Sequence, residues 1–226
     1  MEKNLDFKHL YTDDYFDDRL GNDPLRIKSF KLESEFIYKY IDRGNLMDIG
    51  CATGEFTKTI KWPGKVYGIE ISDRAIEVAK ENGVSFSCNL DNVDDYYDVI
   101  VFRGTIQHLP NPFDMLRKTY RALKPGGYVF FLATPNAESL YYKLWNTLPS
   151  LEASMNFWIP GSNELTNVMK NFGFIHIESR HPYLNSPYSN IIKDHCYFLL
   201  KLILCGSRNI KFPFWKSVSE HCFTKQ

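Results

Sequence analysis

The residues best suited to chemistry lie in one short stretch, where an apolar strand runs into a glycine turn. Residues 46–54 read Leu-Met-Asp-Ile-Gly-Cys-Ala-Thr-Gly, so Asp48 lies at the end of the strand, ahead of Gly50 and Gly54. The glycines let the backbone bend and approach a ligand closely, and a helix predicted from Glu55 offers unpaired N–H donors. A carboxylate seldom lies unpaired at the buried end of a strand, so we expect Asp48 to face a ligand. This stretch predicts a pocket for a nucleoside cofactor.

The spacing of the turn differs from that of the dinucleotide fingerprint. In the pattern G-x-G-x-x-G, three glycines let a pyrophosphate sit on a helix terminus. Here Phe56 and Thr57 follow Glu55, so the third glycine has no counterpart. The turn therefore disfavours a nicotinamide-dependent oxidoreductase, which remains an alternative.

Polar residues also follow the next predicted strands. Because the carboxyl ends of parallel strands meet at one edge of an open sheet, these residues should converge there. Glu70 closes the second strand, 20 residues after Gly50, where a carboxylate can accept hydrogen bonds from both ribose hydroxyls. The third and fourth strands are followed in turn by Asn89, Leu90 and Asp91 and by Arg103, Gly104 and His108.

Short β-type runs alternate with helical runs along the chain, which predicts the elements that position these residues. Strands are predicted at 46–49, 65–71, 84–88, 97–102, 128–133, 174–178 and 217–223. Helices are predicted near 27–41, 55–61, 73–81, 113–123, 162–171 and 189–205. The alternation implies a parallel sheet covered by helices on both faces. Residues 124–127, Lys-Pro-Gly-Gly, are expected to end a helix, and the aromatic-rich region 137–158 to form a lid or insertion.

Five segments resemble the successive motifs of class I S-adenosylmethionine-dependent methyltransferases, in that family's order and spacing. They are Met-Asp-Ile-Gly-Cys-Ala-Thr-Gly at 47–54, Val-Tyr-Gly-Ile-Glu at 66–70, Tyr-Asp-Val-Ile-Val at 97–101, Gln-His-Leu-Pro-Asn-Pro at 107–112 and Leu-Lys-Pro-Gly-Gly at 123–127. The resemblance covers about residues 28–136. It implies a Rossmann-like α/β fold with seven mostly parallel strands, the last one antiparallel.

The resemblance also implies contacts with S-adenosylmethionine along the turn that contains Cys51 and Gly54. Asp48 and the backbone at Gly50 and Arg103 would hold the methionine moiety. Glu70 would bind the ribose, Ile71 would pack on the adenine, and Asn89 with Leu90 would reach the adenine edge. Relatives usually carry aspartate where Asn89 aligns, and Asp91 lies two places later, so the adenine contact has two candidate registers.

The segment before the core is expected to act as an arm. In similar enzymes this arm folds over the cofactor and lines the acceptor site. We expect Tyr15 to be a lid residue and Arg26 to be a partner of the cofactor carboxylate; the alternative is that they are a packing residue and a surface charge.

His108, just beyond the fourth strand, is the predicted catalytic residue. Imidazole titrates near neutrality and suits a general base that removes a proton from an acceptor hydroxyl. Some small-molecule and sugar O-methyltransferases that the chain resembles place a histidine in this loop. The favoured function is O-methylation of a sugar, polysaccharide precursor or natural-product intermediate. Alternatives are that His108 only orders the loop, that the enzyme methylates nitrogen or carbon, or that the fold binds cofactor without chemistry.

Composition limits the partners and the setting. The 226 residues carry 27 basic and 27 acidic side chains, and this zero net charge gives no general attraction to nucleic acid. We expect one domain over 1–226, with an arm at 1–27, a cofactor-binding core at 28–136 and acceptor-side insertions and closing strands at 137–226. Five cysteines without metal or disulfide spacing, and no apolar leader, predict a cytoplasmic protein without a metal site.

One apolar segment suggests contact with a surface. Residues 197–205 are interrupted by Lys201 and are too short to cross a bilayer, which takes about 20 residues. The helix predicted at 189–205 could instead touch a membrane or a partner protein. The sequence does not predict an oligomeric state.

Overall fold

A seven-stranded sheet forms the centre of the molecule, in the order β3-β2-β1-β4-β5-β7-β6. The computed structural model describes residues 23–87, 89–148, 151, 156–184, 186–204 and 215–226. The strands are β1 Leu46–Ile49, β2 Val66–Ile69, β3 Ser85–Phe86, β4 Tyr97–Arg103, β5 Leu123–Pro135, β6 Phe174–Arg180 and β7 Val218–Lys225. Strand β7 pairs antiparallel with both β5 and β6, whereas the pairs among β1 to β5 are parallel. The predicted fold class, with an antiparallel last strand, is confirmed.

Helices connect the strands and cover both faces of the sheet. They are α1 Pro24–Tyr38, α2 Glu55–Ile60, α3 Asp73–Glu81, α4 Pro112–Ala122, α5 Leu140–Trp145, α6 Ser162–Asn171 and α7 Ile191–Leu204, with a short 3₁₀ helix at Ile106–His108. Local sequence fixes several of their starts. Asp23, Ser72 and Asn111 each accept a hydrogen bond at the beginning of a helix, and proline opens α1 and α4.

Successive apolar side chains of the central strands point to opposite faces of the sheet, and they form one hydrophobic core on each face. Met47 and Ile49 of β1 belong to one cluster with Phe102 and Phe131, whereas Leu46 belongs to the other. Burial of each such side chain contributes about 1.5–3 kcal/mol. Strands β1 and β4 are packed on both faces. This packing fixes the positions of their carboxyl ends and of the residues that directly follow them.

Most predicted elements are present, with bounds that differ by a few residues. The largest difference is β5, which begins at Leu123 rather than at residue 128. Residues 124–127 bulge out between the pairs Tyr97–Leu123 and Val99–Tyr128, instead of separating the helix from the strand. Gly126 has a φ of +75°, which a glycine adopts at little cost.

The carboxyl edge of the sheet carries two helical connections on the β5–β6 side. Helix α5 follows β5, within the region predicted as a lid, and α7 joins the end of β6 to the start of β7. None of the helices in the described part of the chain is long and apolar enough to cross a membrane. The cellular location and the division into arm, core and insertions stay predictions.

Candidate functional site

The glycine turn after β1 has the shape that the sequence predicted. Gly50 and Gly54 have φ values of +74° and +70°. A Cβ on Gly50 would lie 2.5 Å from the side chain of Thr105, and one on Gly54 would lie 2.8 Å from that of Val84. Neither position can hold a larger residue without displacing its neighbours, so the turn is both bent and closely packed.

Cys51 and Ala52 complete the turn. The Cys51 side chain is buried toward β2, and burial raises the pKa of its thiol. Any contact between Cys51 and a cofactor would therefore involve its backbone. Ala52 has a φ of +47°, in the left-handed region that disfavours a residue with a Cβ. In this conformation the Ala52 N–H donates to the Glu70 carboxylate at the end of β2.

Glu70 is held by the backbone on both sides. One carboxylate oxygen accepts the Ala52 N–H at 3.0 Å, and the other accepts the N–H groups of Ile71 and Ser72 at 2.7 and 3.1 Å. Three donors fix the position of the carboxylate at the tip of β2, and its half-buried oxygens retain lone pairs for further donors. This geometry suits recognition of a diol.

Asp48 is a buried carboxylate with an unsatisfied oxygen. The residue is 2% exposed, and its Oδ1 has no hydrogen-bond partner within the described chain. Burial raises the pKa of Asp48 to about 7; nearby Arg103 opposes this shift, and Glu70 and Glu33 add to it. An orphaned oxygen of this kind is costly unless a ligand supplies a donor or a positive charge. The sequence predicted a ligand-facing Asp48 for this reason.

Arg103 ends β4 beside this carboxylate, and its side chain is already paired. Its Nε and Nη2 atoms donate to the two oxygens of Glu33 at 2.5 and 3.1 Å. The guanidinium also lies 4.3 Å from the centre of the Phe30 ring. The sequence predicted that the backbone of Arg103, not its side chain, contacts the cofactor. That contact stays a prediction.

The amino-terminal residues are placed in part. Arg26 forms an ion pair with Glu55 at 2.7 Å and lies 5.5 Å from the centre of the Phe30 ring. The structure thus gives Arg26 a partner at the start of α2, next to the glycine turn, and its role toward a cofactor carboxylate stays a prediction. Tyr15 lies outside the described residues.

The residues predicted to meet the adenine lie beyond β2 and β3. Ile71 is 41% exposed, so an apolar surface is available beside Glu70. Leu90 is buried in the main core, which leaves only its backbone for a ligand. Asn89 accepts the Asp91 N–H at 2.9 Å through its side chain, whereas the Asp91 carboxylate pairs with Lys118 at 2.7 Å. Of the two candidates for the adenine contact, Asp91 is engaged in an ion pair and Asn89 is not.

His108 closes the 3₁₀ helix beyond β4. The side-chain amide of Gln107 donates to the carbonyl of Gly104 at 2.9 Å and lies 3.1 Å from Nε2 of His108. Because that amide is a donor, it assigns the lone pair to Nε2 and the proton to Nδ1. The ring is half-buried, and its Nε2 is the basic nitrogen. The backbone carbonyl of Gln107 in turn accepts the N–H of Phe157 at 2.8 Å, so part of the predicted lid region covers this helix.

A polar cavity of about 520 Å³ lies at the same edge of the sheet, beyond β5 and β6. Its lining comprises Asn136, Glu138, Lys143, Ser162, Asn163, His181 and Lys216. Asn136 shapes the cavity, since its side chain accepts the N–H groups of Glu138 and Ser162 and donates to the carbonyl of Lys216. The cavity lies on the β5–β6 side of the edge, whereas the residues predicted to bind the cofactor follow β1 to β4.

Several residues of the site were not predicted. They are Glu33, Thr105, Gln107 and Asn136. Glu33 had a signal, because it lies among the apolar residues of α1 and a charged residue on a buried stripe needs a partner. Tyr188 is half-buried near Arg103, and burial raises the pKa of its phenol. Asn136 has no sequence signal, because long-range contacts with Lys216 and Ser162 bring it to the edge.

The described residues contain no group of three or more His, Cys, Asp or Glu side chains that could hold a metal ion. The imidazoles of His176 and His221 instead share the hydroxyl of Ser179, at 2.7 Å from each ring. Such contacts belong to the packing of β6 against β7.

A family model described as a methyltransferase domain matches residues 30–179 of the chain, which is more than half of it. Curated relatives include a ubiquinone biosynthesis O-methyltransferase of Thiobacillus denitrificans, which is 32% identical over 44% of this chain and 47% of its own length. The chain spans about half the length of the curated relatives it matches.

Solved structures share the fold across most of the chain. A protein of Thermotoga maritima described as an S-adenosylmethionine-dependent methyltransferase has a TM-score of 0.61 and 20% identity, covering 89% of this chain and 91% of its own. A phosphoethanolamine N-methyltransferase of Haemonchus contortus, solved with S-adenosylhomocysteine, has a TM-score of 0.57 and 17% identity, covering 86% of this chain and 52% of its own. At this level of identity the likeness concerns the fold.

Proposed function

Given that this chain belongs to the methyltransferase domain family and takes S-adenosylmethionine as its cofactor, we propose that it transfers the methyl group to a hydroxyl oxygen of a small-molecule acceptor. When bound, the cofactor supplies a methyl group on a positively charged sulfur. The main task of the protein is then to hold the acceptor oxygen in line at near-attack distance, which can be worth about 7–11 kcal/mol.

The cofactor would bind at the tips of β1 and β2. The unsatisfied oxygen of Asp48 supports this assignment, because a ligand with a positive charge or an N–H donor would satisfy it. The bend at Gly50 lets the ligand approach the backbone, and Glu70 is fixed where a ribose diol can donate to it. Ile71 offers an apolar surface for the adenine.

His108 is the residue we assign to proton removal. The observation that carries the O-methyl proposal is the position of the half-buried His108 imidazole at the tip of β4, where its Nε2 lies 3.1 Å from the amide nitrogen of Gln107. An acceptor hydroxyl would displace this amide and donate to Nε2 in its place. General-base catalysis of this kind contributes about 10²–10⁴-fold in rate.

The acceptor belongs in the polar cavity beyond β5. Its amide, hydroxyl, imidazole and ammonium groups suit a ligand with several oxygens, which supports a hydroxylated small molecule and keeps a sugar among the candidates. The curated relatives are named for O-methylation of a small molecule, which favours oxygen over nitrogen or carbon.

The test is methyl transfer from isotopically labelled S-adenosylmethionine to a panel of sugars, phenols and aliphatic alcohols, each paired with its amine analogue. We expect labelled ether products from the hydroxylated members. With the best acceptor, His108→Ala should lower kcat about 100-fold or more and leave the affinity for S-adenosylhomocysteine nearly unchanged.

The matched control is His195→Ala, because the ring of His195 lies on α7 and contacts the backbone carbonyl of Ile191 and the ring of Trp215. This variant should retain wild-type kcat. Exclusive labelling of the amines would reject O-methylation, and wild-type turnover in His108→Ala would remove the histidine from the mechanism.

A further inference from the structure

Helix α7 is inverted, because two of its three charged residues, Asp194 and Lys201, face the protein. Asp194 and Lys201 are 0% and 7% exposed. Asp194 accepts the hydroxyl proton of Tyr183 at 2.9 Å, and the Lys201 ammonium donates to the hydroxyl of Tyr141 at 2.8 Å. On an ordinary surface helix these charges would face water and the apolar residues would face the core.

The opposite face of α7 is apolar and exposed. Ile192, Leu199 and Ile203 are 79%, 56% and 75% exposed. Their spacing of seven and then four residues places them on one stripe, and Cys196, also exposed, lies between them. A contiguous exposed patch of large aliphatic side chains marks an interaction surface.

The patch continues onto α5, which contacts α7 through Trp145 and Phe198. Leu140 and Leu144, one turn apart, are 46% and 47% exposed, and Trp215 beside His195 is 50% exposed. We call the surface formed by Leu140, Leu144, Ile192, Leu199, Ile203 and Trp215 the α5/α7 face.

Among the described residues, three lysines border the α5/α7 face, and the nearby carboxylate of Glu138 accepts hydrogen bonds from Asn163 in the polar cavity. Lys143 on α5, Lys193 on α7 and Lys216 next to Trp215 are exposed, and no carboxylate pairs with Lys143 or Lys216 within the described residues. Asp194, the sole acidic residue of the two helices, is buried. An apolar face bordered by three lysines, with one nearby carboxylate that is already hydrogen-bonded, complements an anionic lipid surface.

We propose that the α5/α7 face docks the enzyme on an anionic lipid surface. The helix would lie in the interface, because its 14 residues are too few to span a bilayer, which takes about 20. A second copy fits the face less well, since a twofold contact places the bordering lysines of one copy against those of the other. Both helices lie at the carboxyl edge, and Lys143 and Lys216 also line the polar cavity, so docking would open the acceptor side toward the lipid headgroups.

Docking can be measured without catalysis, so its outcome is independent of the proposed reaction. The full chain is sedimented with vesicles of phosphatidylcholine alone and of phosphatidylcholine with phosphatidylglycerol. We expect binding to the anionic vesicles, weakened by high salt. The double variant Ile192→Gln with Ile203→Gln should lower partitioning at least tenfold, and Lys193→Gln about fivefold.

The matched control is Ile175→Gln with Ile177→Gln, because these isoleucines of β6 are 38% and 41% exposed but lie off the face. This control should bind vesicles like the wild type, and all variants should retain affinity for S-adenosylhomocysteine. An environment-sensitive probe on Cys196, in a background with Cys88→Ser and Cys205→Ser, should shift to the blue on binding.

Three results would overturn the proposal. One is failure of the wild type to bind anionic vesicles, and another is equal binding by the α7 double variant. The third is self-association: light scattering would show a dimeric wild type that does not bind lipid and a monomeric double variant. That result would assign the face to contact between two copies of the chain.

Discussion

The guanidinium of Arg103 and the carboxylate of Glu33 form a bidentate ion pair that joins the end of β4 to α1. Phe30 lies beneath the guanidinium, so the pair is shielded on one side by an aromatic ring. Both members of the pair act on Asp48: Arg103 opposes the rise in the pKa of that acid, and Glu33 adds to it. Helix α1 is thereby connected to the electrostatics of the proposed cofactor site.

Glu33→Gln is expected to destabilise the fold by about 3 kcal/mol, because it leaves the largely buried Arg103 without its counter-charge. The side chain of Glu33 is only 4% exposed, so water replaces little of what is lost. Urea unfolding followed by circular dichroism measures the difference. Glu35→Gln, exposed on the same helix, is the control and should change stability by less than about 0.5 kcal/mol. Equal stability of the two variants would contradict the ion pair's role.

Affinity for S-adenosylmethionine should depend on pH through Asp48. Its pKa of about 7 means that the free protein largely protonates this carboxyl below neutrality. A bound cation favours the ionised form and lowers that pKa, so binding releases a proton. The dissociation constant should therefore rise as pH falls below about 7, by at most about tenfold per unit.

Calorimetric titration between pH 5.5 and 8, in two buffers of different ionisation enthalpy, measures both the affinity and the proton release. Asp48→Asn cannot titrate and should bind more weakly with a flatter pH profile. A wild-type profile as flat as that of Asp48→Asn would separate Asp48 from the cofactor.

Glu70→Ala should weaken cofactor affinity strongly, about 100-fold, because two charge-assisted hydrogen bonds to the ribose would be lost. Glu70→Gln keeps one acceptor oxygen and should lie between the two. Equilibrium binding of S-adenosylhomocysteine reports the effect. Glu77→Ala, on the exposed side of α3, is the control and should bind like the wild type. A loss of less than fivefold in Glu70→Ala would assign the carboxylate to holding the turn alone.

The sequence predicted the parts of this molecule that depend on local patterns. Alternation of strands and helices gave the sheet, and the glycine spacing gave the bend at Gly50, whose positive φ the structure confirms. Asp48 could be chosen as a candidate ligand-binding residue, because a carboxylate on a buried strand needs a partner. These features are readable because each is encoded within a few neighbouring residues.

Features that depend on long-range contacts could not be predicted from the sequence. The bulge at 124–127 arises because β5 pairs with β4 on both sides of it, whereas the local Pro-Gly-Gly pattern indicates only a helix end. The inversion of α7 was also hidden. Asp194 and Lys201 are seven residues apart on one side of the helix, but only the packing of Tyr183 and Tyr141 decides that this side is buried.

Ala52→Gly should stabilise the protein, because Ala52 holds a φ of +47° that costs a residue with a Cβ about 1–2 kcal/mol. The added freedom of glycine in the unfolded chain offsets part of this gain, so we expect a net stabilisation of about 0.5–1 kcal/mol. Scanning calorimetry should record a rise in Tm of about 1–4 °C for a chain of this size. Ala75→Gly, a buried position inside α3, is the matched control and should lower Tm, because glycine weakens a helix and leaves a void there. The N–H of residue 52 that Glu70 accepts is retained in Ala52→Gly, so affinity for S-adenosylhomocysteine should stay within about threefold of the wild type. A fall in Tm for Ala52→Gly would show that the alanine side chain contributes packing that outweighs the backbone strain.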